Sequence, residues 1–133
     1  RSVDLSGEEK ASAIKNASLE VFNRAAEHAM SRGIIIADTK FEFGYVNGSL
    51  TLCDEVLTPD SSRFWSKADY VEGQNQTSFD KQFVRNWLNE NWDRETLAKE
   101  GRGLVPPELP DDIVKRTSEK YIQAYELITG KDF

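Results

Sequence analysis

The chain has 133 residues, and its 17 basic and 23 acidic side chains give a formal net charge of −6 at pH 7. This charge argues against nucleic acid or an anionic membrane as the main partner, because both repel an acidic protein. No apolar run approaches the roughly 18 residues that a membrane-spanning helix needs. The single cysteine, Cys53, excludes an internal disulfide and favours a reducing compartment, so we expect a cytoplasmic protein.

The first predicted element is a long helix. Ser6-Gly7-Glu8-Glu9 has the pattern of a capping box, and Gly33 is a suitable helix end. Apolar residues recur between these points at helical spacing, which predicts one buried stripe. The expected members of that stripe are Ile14, Leu19, Phe22, Ala26 and Met30.

The β-branched run 34–37 then leads into a charged stretch that predicts a strand. Alternate residues of a strand share a face, so Asp38, Lys40 and Glu42 are expected to lie together. The aromatic residues between them take the opposite face. We therefore expect the first part of the strand, 34–37, to be buried in a core, and its second part to carry charged side chains.

An Asn-Gly pair at 47–48 predicts a two-residue hairpin turn, because these residues tolerate positive φ. The returning strand brings Asp54 back beside the charged stretch. Cys53 falls opposite Glu42 in this register, so Asp54 joins Glu42 only through a bulge or beyond the strand end. Carboxylates from two strands beside a lysine indicate a site for Mg²⁺ and phosphate. The alternative is that these charges decorate the solvent face of an ordinary hairpin.

A predicted turn follows at 58–61, Thr-Pro-Asp-Ser, with proline in the second position of a type I turn. Ser62 and Arg63 come directly after it. Hydroxyls and a forked guanidinium suit an oxyanion such as phosphate. An arginine after a turn is often simply solvated, so the pattern gains weight only as the continuation of the charged hairpin.

The second half of the chain predicts helices. Ser78 is expected to cap a helix that carries Lys81 and Arg85 on one face, although a solvated face would have the same pattern. Its apolar side would consist of Phe79, Phe83, Trp87 and Leu88. Asp93 starts a short helix that ends at Gly101, and Asp111 caps a final helix. The residues expected to face inward from that final helix are Val114, Tyr121, Tyr125 and Ile128.

These elements predict an α+β fold, in which an antiparallel β-hairpin, part of a larger sheet, packs with three to four helices.

Two segments, IADTKFEFG at 36–44 and DEVLTPDSSRFW at 54–65, resemble the SAICAR synthetases, the phosphoribosylaminoimidazole-succinocarboxamide synthases of purine biosynthesis. Residues 78–85 and 110–130 are also similar to the C-terminal region of that family. The resemblance covers nearly the whole chain from the first helix onward.

The resemblance implies an ATP-dependent ligase that joins L-aspartate to the carboxylate of carboxyaminoimidazole ribonucleotide. The reaction would pass through a phosphorylated carboxylate and give SAICAR, ADP and phosphate. Phosphoryl transfer of this kind depends on positioning, metal and positive charge more than on covalent help from the protein. Carried over by position, Glu42 and Asp54 would hold Mg²⁺, and Lys40 would contact nucleotide phosphate.

The resemblance also implies substrate contacts. Asp38 would sit against the imidazole substrate or the amine of the incoming aspartate. Ser62 and Arg63 would grip the 5′-phosphate of the ribonucleotide, with Asp60 beside them. The residues that would add positive charge over the anionic ligands are Lys81 and Arg85.

The sequence departs from the family in lacking its N-terminal lobe and the glycine-rich loop over the phosphates. We therefore expect residues 1–133 to be a single domain, the C-terminal ATP- and substrate-binding lobe of a longer enzyme. The Gly-x-Gly at 101–103 follows a helical pattern rather than a strand, so it predicts a helix end and not a phosphate loop.

Two alternatives come from other functional classes. A kinase-like phosphotransferase also uses a hairpin with metal ligands, but the sequence has neither a His-Arg-Asp nor an Asp-Phe-Gly motif. A non-catalytic module that binds nucleotide or metal has no need for Lys40, Glu42, Asp54 and Arg63 together. Their co-occurrence favours an enzyme.

Overall fold

The computed structural model describes residues 7–79 and 81–133, so the capping role predicted for Ser6 lies outside the described residues. The described parts contain four helices and four strands, which confirms the α+β class. In chain order they are α1 (Glu8–Ser31), β1 (Ile34–Thr39), β2 (Glu42–Val46), β3 (Ser49–Cys53), β4 (Ser62–Ser66), α2 (Gln82–Asn91), α3 (Arg94–Lys99) and α4 (Asp111–Thr129). None of these helices has an apolar stretch long enough to cross a membrane.

Helix α1 packs on the core through its C-terminal half, while near its N-terminus Lys10 Nζ lies 5.3 Å from the centroid of the Tyr45 ring of β2. Ala29 is buried, and Phe22 and Ala25 pack against the same core. The predicted stripe is therefore only partly right, since Leu19 is 50% exposed and Met30 is 41% exposed. Helical periodicity alone did not show that Ala29, rather than Met30, faces the core.

The strands form two antiparallel pairs, β1 with β4 and β2 with β3. The hairpin turn is confirmed, because Asn47 and Gly48 have φ of 50° and 80° and Glu42 stands opposite Cys53. The continuous strand predicted from the run 34–37 through Glu42 is wrong, because no strand pairing is made at 40–41 and β2 belongs to a different sheet from β1. Within the described residues the hairpin is a two-stranded sheet of its own.

Strand β1 contains an irregularity. Ile36 pairs with Phe64, and the next pair along the ladder is Asp38 with Arg63. Ala37 is left without a partner, which is a β-bulge. The bulge places Asp38 opposite Arg63 and Thr39 opposite Ser62.

The core lies between α1, the β1–β4 pair and α4. Ile34 and Phe64 are its fully buried large side chains, at 0% exposure. Phe79 is also buried, but it precedes α2 instead of lying on it. The segment before α2 is extended, with the Phe79 N–H donating to the Phe64 carbonyl at 2.9 Å and Ser78 bridging to Trp65. Ser78 therefore does not cap the helix as predicted.

The two C-terminal helices begin near the predicted points, but Asp111 is the first residue of α4 and Pro110 is its N-cap, so the predicted cap at Asp111 is wrong. Asp93 caps α3 by accepting the Thr96 N–H at 3.0 Å, and Gly101 ends that segment with φ of 64°, as predicted. In α4, Ile113 and Ala124 are the buried residues. The inward positions predicted for Val114 and Tyr125 are wrong, since these are 52% and 41% exposed.

Candidate active site

A cleft of about 450 Å³ lies between the β1–β4 pair, the loop that follows β3 and the start of α2. Most of the residues predicted to bind substrate or nucleotide line it. The predicted residues in the cleft are Asp38, Lys40, Asp60, Ser62, Arg63, Lys81 and Arg85. The remaining lining residues, which sequence reasoning missed, are Glu55, Ser61 and Gln82.

Asp38 and Arg63 form a forked ion pair across the β1–β4 ladder. The Arg63 Nε donates to both carboxylate oxygens of Asp38, at 2.9 and 3.0 Å, and Nη2 also donates to Oδ2. These hydrogen bonds hold the pKa of Asp38 below its ordinary value. The cleft therefore contains a carboxylate that is ionised at neutral pH and a guanidinium in a fixed orientation.

Lys40 lies among carboxylates at the junction of β1 and β2. Its Nζ donates to Glu42 Oε1 at 2.6 Å, and this hydrogen bond raises the pKa of Lys40 above its ordinary value. The charges of Asp54 and Glu55 act in the same direction. Asp54 follows directly after the end of β3 with φ of 63°, so it reaches this group beyond the strand end, as predicted.

The 58–61 turn is closed by its own hydroxyls. Thr58 N–H donates to Ser61 Oγ at 3.0 Å, and Ser61 N–H donates to Thr58 Oγ1 at 3.1 Å. The Ser62 N–H donates to the Thr58 carbonyl at 3.0 Å, a span one residue wider than the expected type I turn. Proline and the paired hydroxyls thus fix the loop that carries Asp60 into the cleft.

Ser62 is only 4% exposed, although it lines the cleft. Its hydroxyl lies 2.8 Å from Thr39 Oγ1, directly across the ladder. Thr39 did not stand out in the sequence, because its partner becomes visible only when the register of β1 against β4 is known. The hydroxyl pair links β1 to β4 at the rung of the ladder next to the Asp38–Arg63 pair.

The N-terminal end of α2 brings two cations to the cleft, Lys81 directly before the helix and Arg85 within it. The Lys81 Nζ donates to the Asp60 carbonyl and lies 3.5 Å from Asp60 Oδ1. Arg85 forms no ion pair with the described residues, 7–79 and 81–133. Lys81 and Arg85 both line the cleft, but Lys81 is the N-cap residue of α2 instead of lying on a face of the helix as predicted.

The charges suit an anionic ligand together with a hard metal ion. Glu42 and Asp54 offer carboxylate oxygens, the ligand type that Mg²⁺ prefers. No group of three or more His, Cys, Asp or Glu side chains in the described part of the chain is placed to hold a metal ion. Mg²⁺ with a few protein carboxylates, waters and substrate phosphates fits this donor set, whereas a metal that needs a full cage of protein ligands does not.

Comparison with known proteins decides the family, because the sequence profile described as SAICAR synthetase matches residues 1–99. This chain belongs to the SAICAR synthetase family. It is 52% identical over 131 residues to phosphoribosylaminoimidazole-succinocarboxamide synthase of Corynebacterium efficiens, covering 96% of this chain and 41% of that protein. The chain therefore spans about two fifths of the length of this relative.

Solved structures of SAICAR synthetases have the same fold. SAICAR synthase from Saccharomyces cerevisiae, complexed with SAICAR, is 43% identical with a TM-score of 0.82, over 98% of this chain and 42% of that one. A SAICAR synthetase in complex with ADP is 26% identical with a TM-score of 0.63, over 94% of this chain and 40% of that one. The resemblance seen in segments 36–44 and 54–65 is thus confirmed at the level of family and fold.

Proposed function

We propose that this chain is the C-terminal lobe of an ATP-dependent ligase that joins L-aspartate to the carboxylate of carboxyaminoimidazole ribonucleotide, giving SAICAR, ADP and phosphate. The observation that supports this most directly is the cleft itself. It gathers Asp38, Arg63, Lys81 and Arg85 from elements far apart in the sequence, next to Lys40 and its carboxylates. Anionic substrates and a metal-bound nucleotide need this combination of charges.

The ribonucleotide phosphate is assigned to Arg63, Lys81 and Arg85. Arg85 has no ion pair with the described residues, so it supplies positive charge that no carboxylate of residues 7–79 or 81–133 neutralises. Arg63 is held by Asp38 through Nε and Nη2, which orients the planar guanidinium before a ligand arrives. In this proposal Ser62 supports the ladder beneath Arg63 through Thr39, in addition to the phosphate contact that the resemblance implies.

The metal and nucleotide are assigned to the group around Lys40. Glu42 and Asp54 would hold Mg²⁺, which when bound neutralises phosphate charge during phosphoryl transfer. Lys40 is held in its charged form by Glu42, so it offers a permanent cation to a phosphate. The ATP and Mg²⁺ sites therefore adjoin the ribonucleotide cleft at its Lys40 end.

Asp38 is assigned to binding the amine of the incoming L-aspartate or the imidazole substrate. Its pKa is lowered by Arg63, which makes it a poor proton acceptor at neutral pH. A carboxylate of this kind orients a cationic or hydrogen-bonding group and leaves proton removal to solvent or product phosphate. Its fixed geometry favours attack of the amine on the phosphorylated carboxylate.

The test is single-turnover ligation with ATP, Mg²⁺, L-aspartate and carboxyaminoimidazole ribonucleotide. This chain is compared with a chimera in which it replaces the matching 41% of the Corynebacterium efficiens relative. SAICAR formed by the chimera, and lost in its Arg85→Gln variant, supports the proposal. A folded chimera that forms no SAICAR while the intact relative does so under the same conditions contradicts it.

The metal assignment has its own test. Glu42→Gln and Asp54→Asn in the chimera are expected to weaken binding of Mg²⁺-ATP, measured by calorimetry. Glu72→Gln, an exposed carboxylate outside the cleft, serves as the matched control. If Glu42→Gln and Asp54→Asn bind Mg²⁺-ATP as tightly as Glu72→Gln does, the assignment is contradicted.

We also propose that the protein works in the cytoplasm, which suits its one free cysteine, Cys53.

A further inference from the structure

Lys120 of α4 contacts the segment that leads into α2. Its side chain is half-buried, and its Nζ donates a hydrogen bond to the Ser78 carbonyl at 2.9 Å. Lys120 is not among the described residues that line the cleft. Its contacts are therefore with a segment that carries the cleft, and not with a ligand inside it.

The Lys120 ammonium also lies over two aromatic rings. Its Nζ is 5.9 Å from the centroid of the Phe79 ring and 5.3 Å from the centroid of the Phe83 ring, within range of cation–π attraction. Arg116, one turn earlier in α4, lies 4.9 Å from the Phe83 centroid. Two cations of α4 thus hold the two phenylalanines that stand on either side of Lys81 in the sequence.

The same segment is fixed to β4 by backbone hydrogen bonds. The Phe79 N–H donates to the Phe64 carbonyl at 2.9 Å, and the Ser66 N–H donates to the Thr77 carbonyl at 3.1 Å. Phe79 is buried in the core. The start of α2 is therefore restrained by backbone contacts with β4 and by side-chain contacts from α4.

The two cations that α2 brings to the cleft follow directly after this segment. Lys81 is the N-cap of α2, and its Nζ lies 3.5 Å from Asp60 Oδ1. The Arg85 N–H donates to the Lys81 carbonyl at 3.1 Å, so Arg85 lies one turn into the same helix. A shift at the start of α2 would move both cations relative to Arg63 on β4. A misplacement of about 1 Å is enough to weaken a binding site strongly.

We propose that Lys120 is a positioning residue for the cleft. From α4 it fixes the start of α2, and it thereby sets where Lys81 and Arg85 offer positive charge to an anionic ligand. This inference rests on the proposed function for the identity of that ligand as the phosphate of the ribonucleotide. A lysine that only stabilised the fold would raise the free energy of unfolding without changing the affinity of the folded chain for an anion.

The direct test is binding of inorganic phosphate to this chain, measured by calorimetry. Lys120→Met removes the ammonium and retains an unbranched stem, whereas Lys120→Arg retains the cation. Lys115→Met is the matched control, because Lys115 is an exposed lysine of the same helix that pairs with Glu119 at 4.0 Å. Phe83→Leu removes the ring beneath both cations of α4 and is a second route to the same displacement.

Lys120→Met is expected to weaken phosphate binding by roughly three- to tenfold, because the start of α2 loses a hydrogen bond from a charged donor. Phe83→Leu is expected to weaken it as well, whereas Lys120→Arg and Lys115→Met bind like the wild-type chain. The double variant Lys81→Met with Lys120→Met is expected to lose less affinity than the product of the two single fold-changes, because Lys120 acts partly through Lys81.

Wild-type phosphate affinity in Lys120→Met overturns the inference, even where urea unfolding shows that this variant is less stable. Losses that multiply fully in the double variant also overturn it, since Lys120 and Lys81 would then act independently. If circular dichroism shows that Lys120→Met is unfolded, the phosphate affinity of Phe83→Leu decides in the same way. Absence of phosphate binding by the wild-type chain at millimolar concentration overturns the inference too.

Ligation by the chimera separates this inference from the proposed function. SAICAR formation with a raised KM for the ribonucleotide and a nearly unchanged kcat in Lys120→Met supports both. SAICAR formation with an unchanged KM overturns the positioning role alone. Failure of the chimera to form SAICAR, with weakened phosphate binding by Lys120→Met in this chain, overturns the ligase function and retains the positioning role.

Discussion

Arg63 on β4 grips both carboxylate oxygens of Asp38 on β1, through an Nε that lies 2.9 Å from one oxygen and 3.0 Å from the other. The pair joins two strands whose connection contains the entire β2–β3 hairpin. It therefore acts both as a cross-strand link and as the element that aims the guanidinium into the cleft.

Replacing Arg63 by Met is expected to lower stability in a pH-dependent way. Arg63 depresses the pKa of Asp38 in the folded chain, so its contribution is complete above the unfolded value, near 3.8, and disappears as pH falls through the folded pKa. The pair is solvent-exposed, so the loss at neutral pH is below about 1 kcal/mol. Urea unfolding at a series of pH values measures this loss of stability. Asp38→Asn and the double variant complete a double-mutant cycle. A loss that is constant down to acid pH contradicts the account.

Glu42→Gln is expected to bring the pKa of Lys40 back toward its ordinary value. The hydrogen bond from Nζ to Glu42 is the largest contribution to the raised pKa, and Gln retains the shape without the charge. NMR titration of the Lys40 side chain measures the change. Glu55→Gln is the matched control, because Glu55 acts on Lys40 only through its more distant charge. A larger shift in the control than in Glu42→Gln would rule out this arrangement.

Phe64→Ala is expected to destabilise the fold by about 3–5 kcal/mol, since it empties a large side-chain volume from the core. Phe64 has 0% exposure and lies between α1 and α4 in the core cluster. Phe133→Ala, at an 83% exposed position, changes stability by less than about 0.5 kcal/mol. The midpoints of urea unfolding give both values, and similar midpoints for the two variants contradict the core assignment.

Gln76→Ala is expected to loosen the loop that follows β4. The Gln76 amide accepts the Val71 N–H and donates to the carbonyls of Val71 and Gln74. Hydrogen exchange of the Val71 amide should become faster in the variant, because its acceptor is removed. Asn75→Ala is the matched control, as Asn75 is an exposed residue of the same loop. Unchanged Val71 exchange in Gln76→Ala would show that the loop is held by other contacts.

Local chemistry made the turns and helix ends predictable. Asn47-Gly48 and Gly101 adopt positive φ, which their residue types favour, and Asp93 caps its helix through its own carboxylate. Asp54 could be placed beyond a strand end because the hairpin turn fixes the register of β2 against β3. The family motifs identified most of the cleft residues, because these residues lie within short contiguous segments of the sequence.

Features that depend on distant partners were not predictable. The strand that pairs with β1 is β4, and neither its position nor its register is encoded in a local pattern. Thr39 and Gln82 therefore did not stand out, although the first meets Ser62 and the second lines the cleft. The buried faces of α1 and α4 were partly misassigned because helical periodicity does not show which residues of an apolar stripe a neighbouring element covers.

The unpaired Ala37 changes which side chains of β1 face the core. Ile34 and Ile36 are buried, and strict alternation would turn Asp38 toward the same interior. The additional residue reverses the alternation, so even-numbered side chains change from the core face to the cleft face between Ile36 and Asp38. The strand thereby contributes isoleucines to the interior and a carboxylate to the cleft without a turn between them. A single alanine determines on which side of the sheet the charge of Asp38 lies.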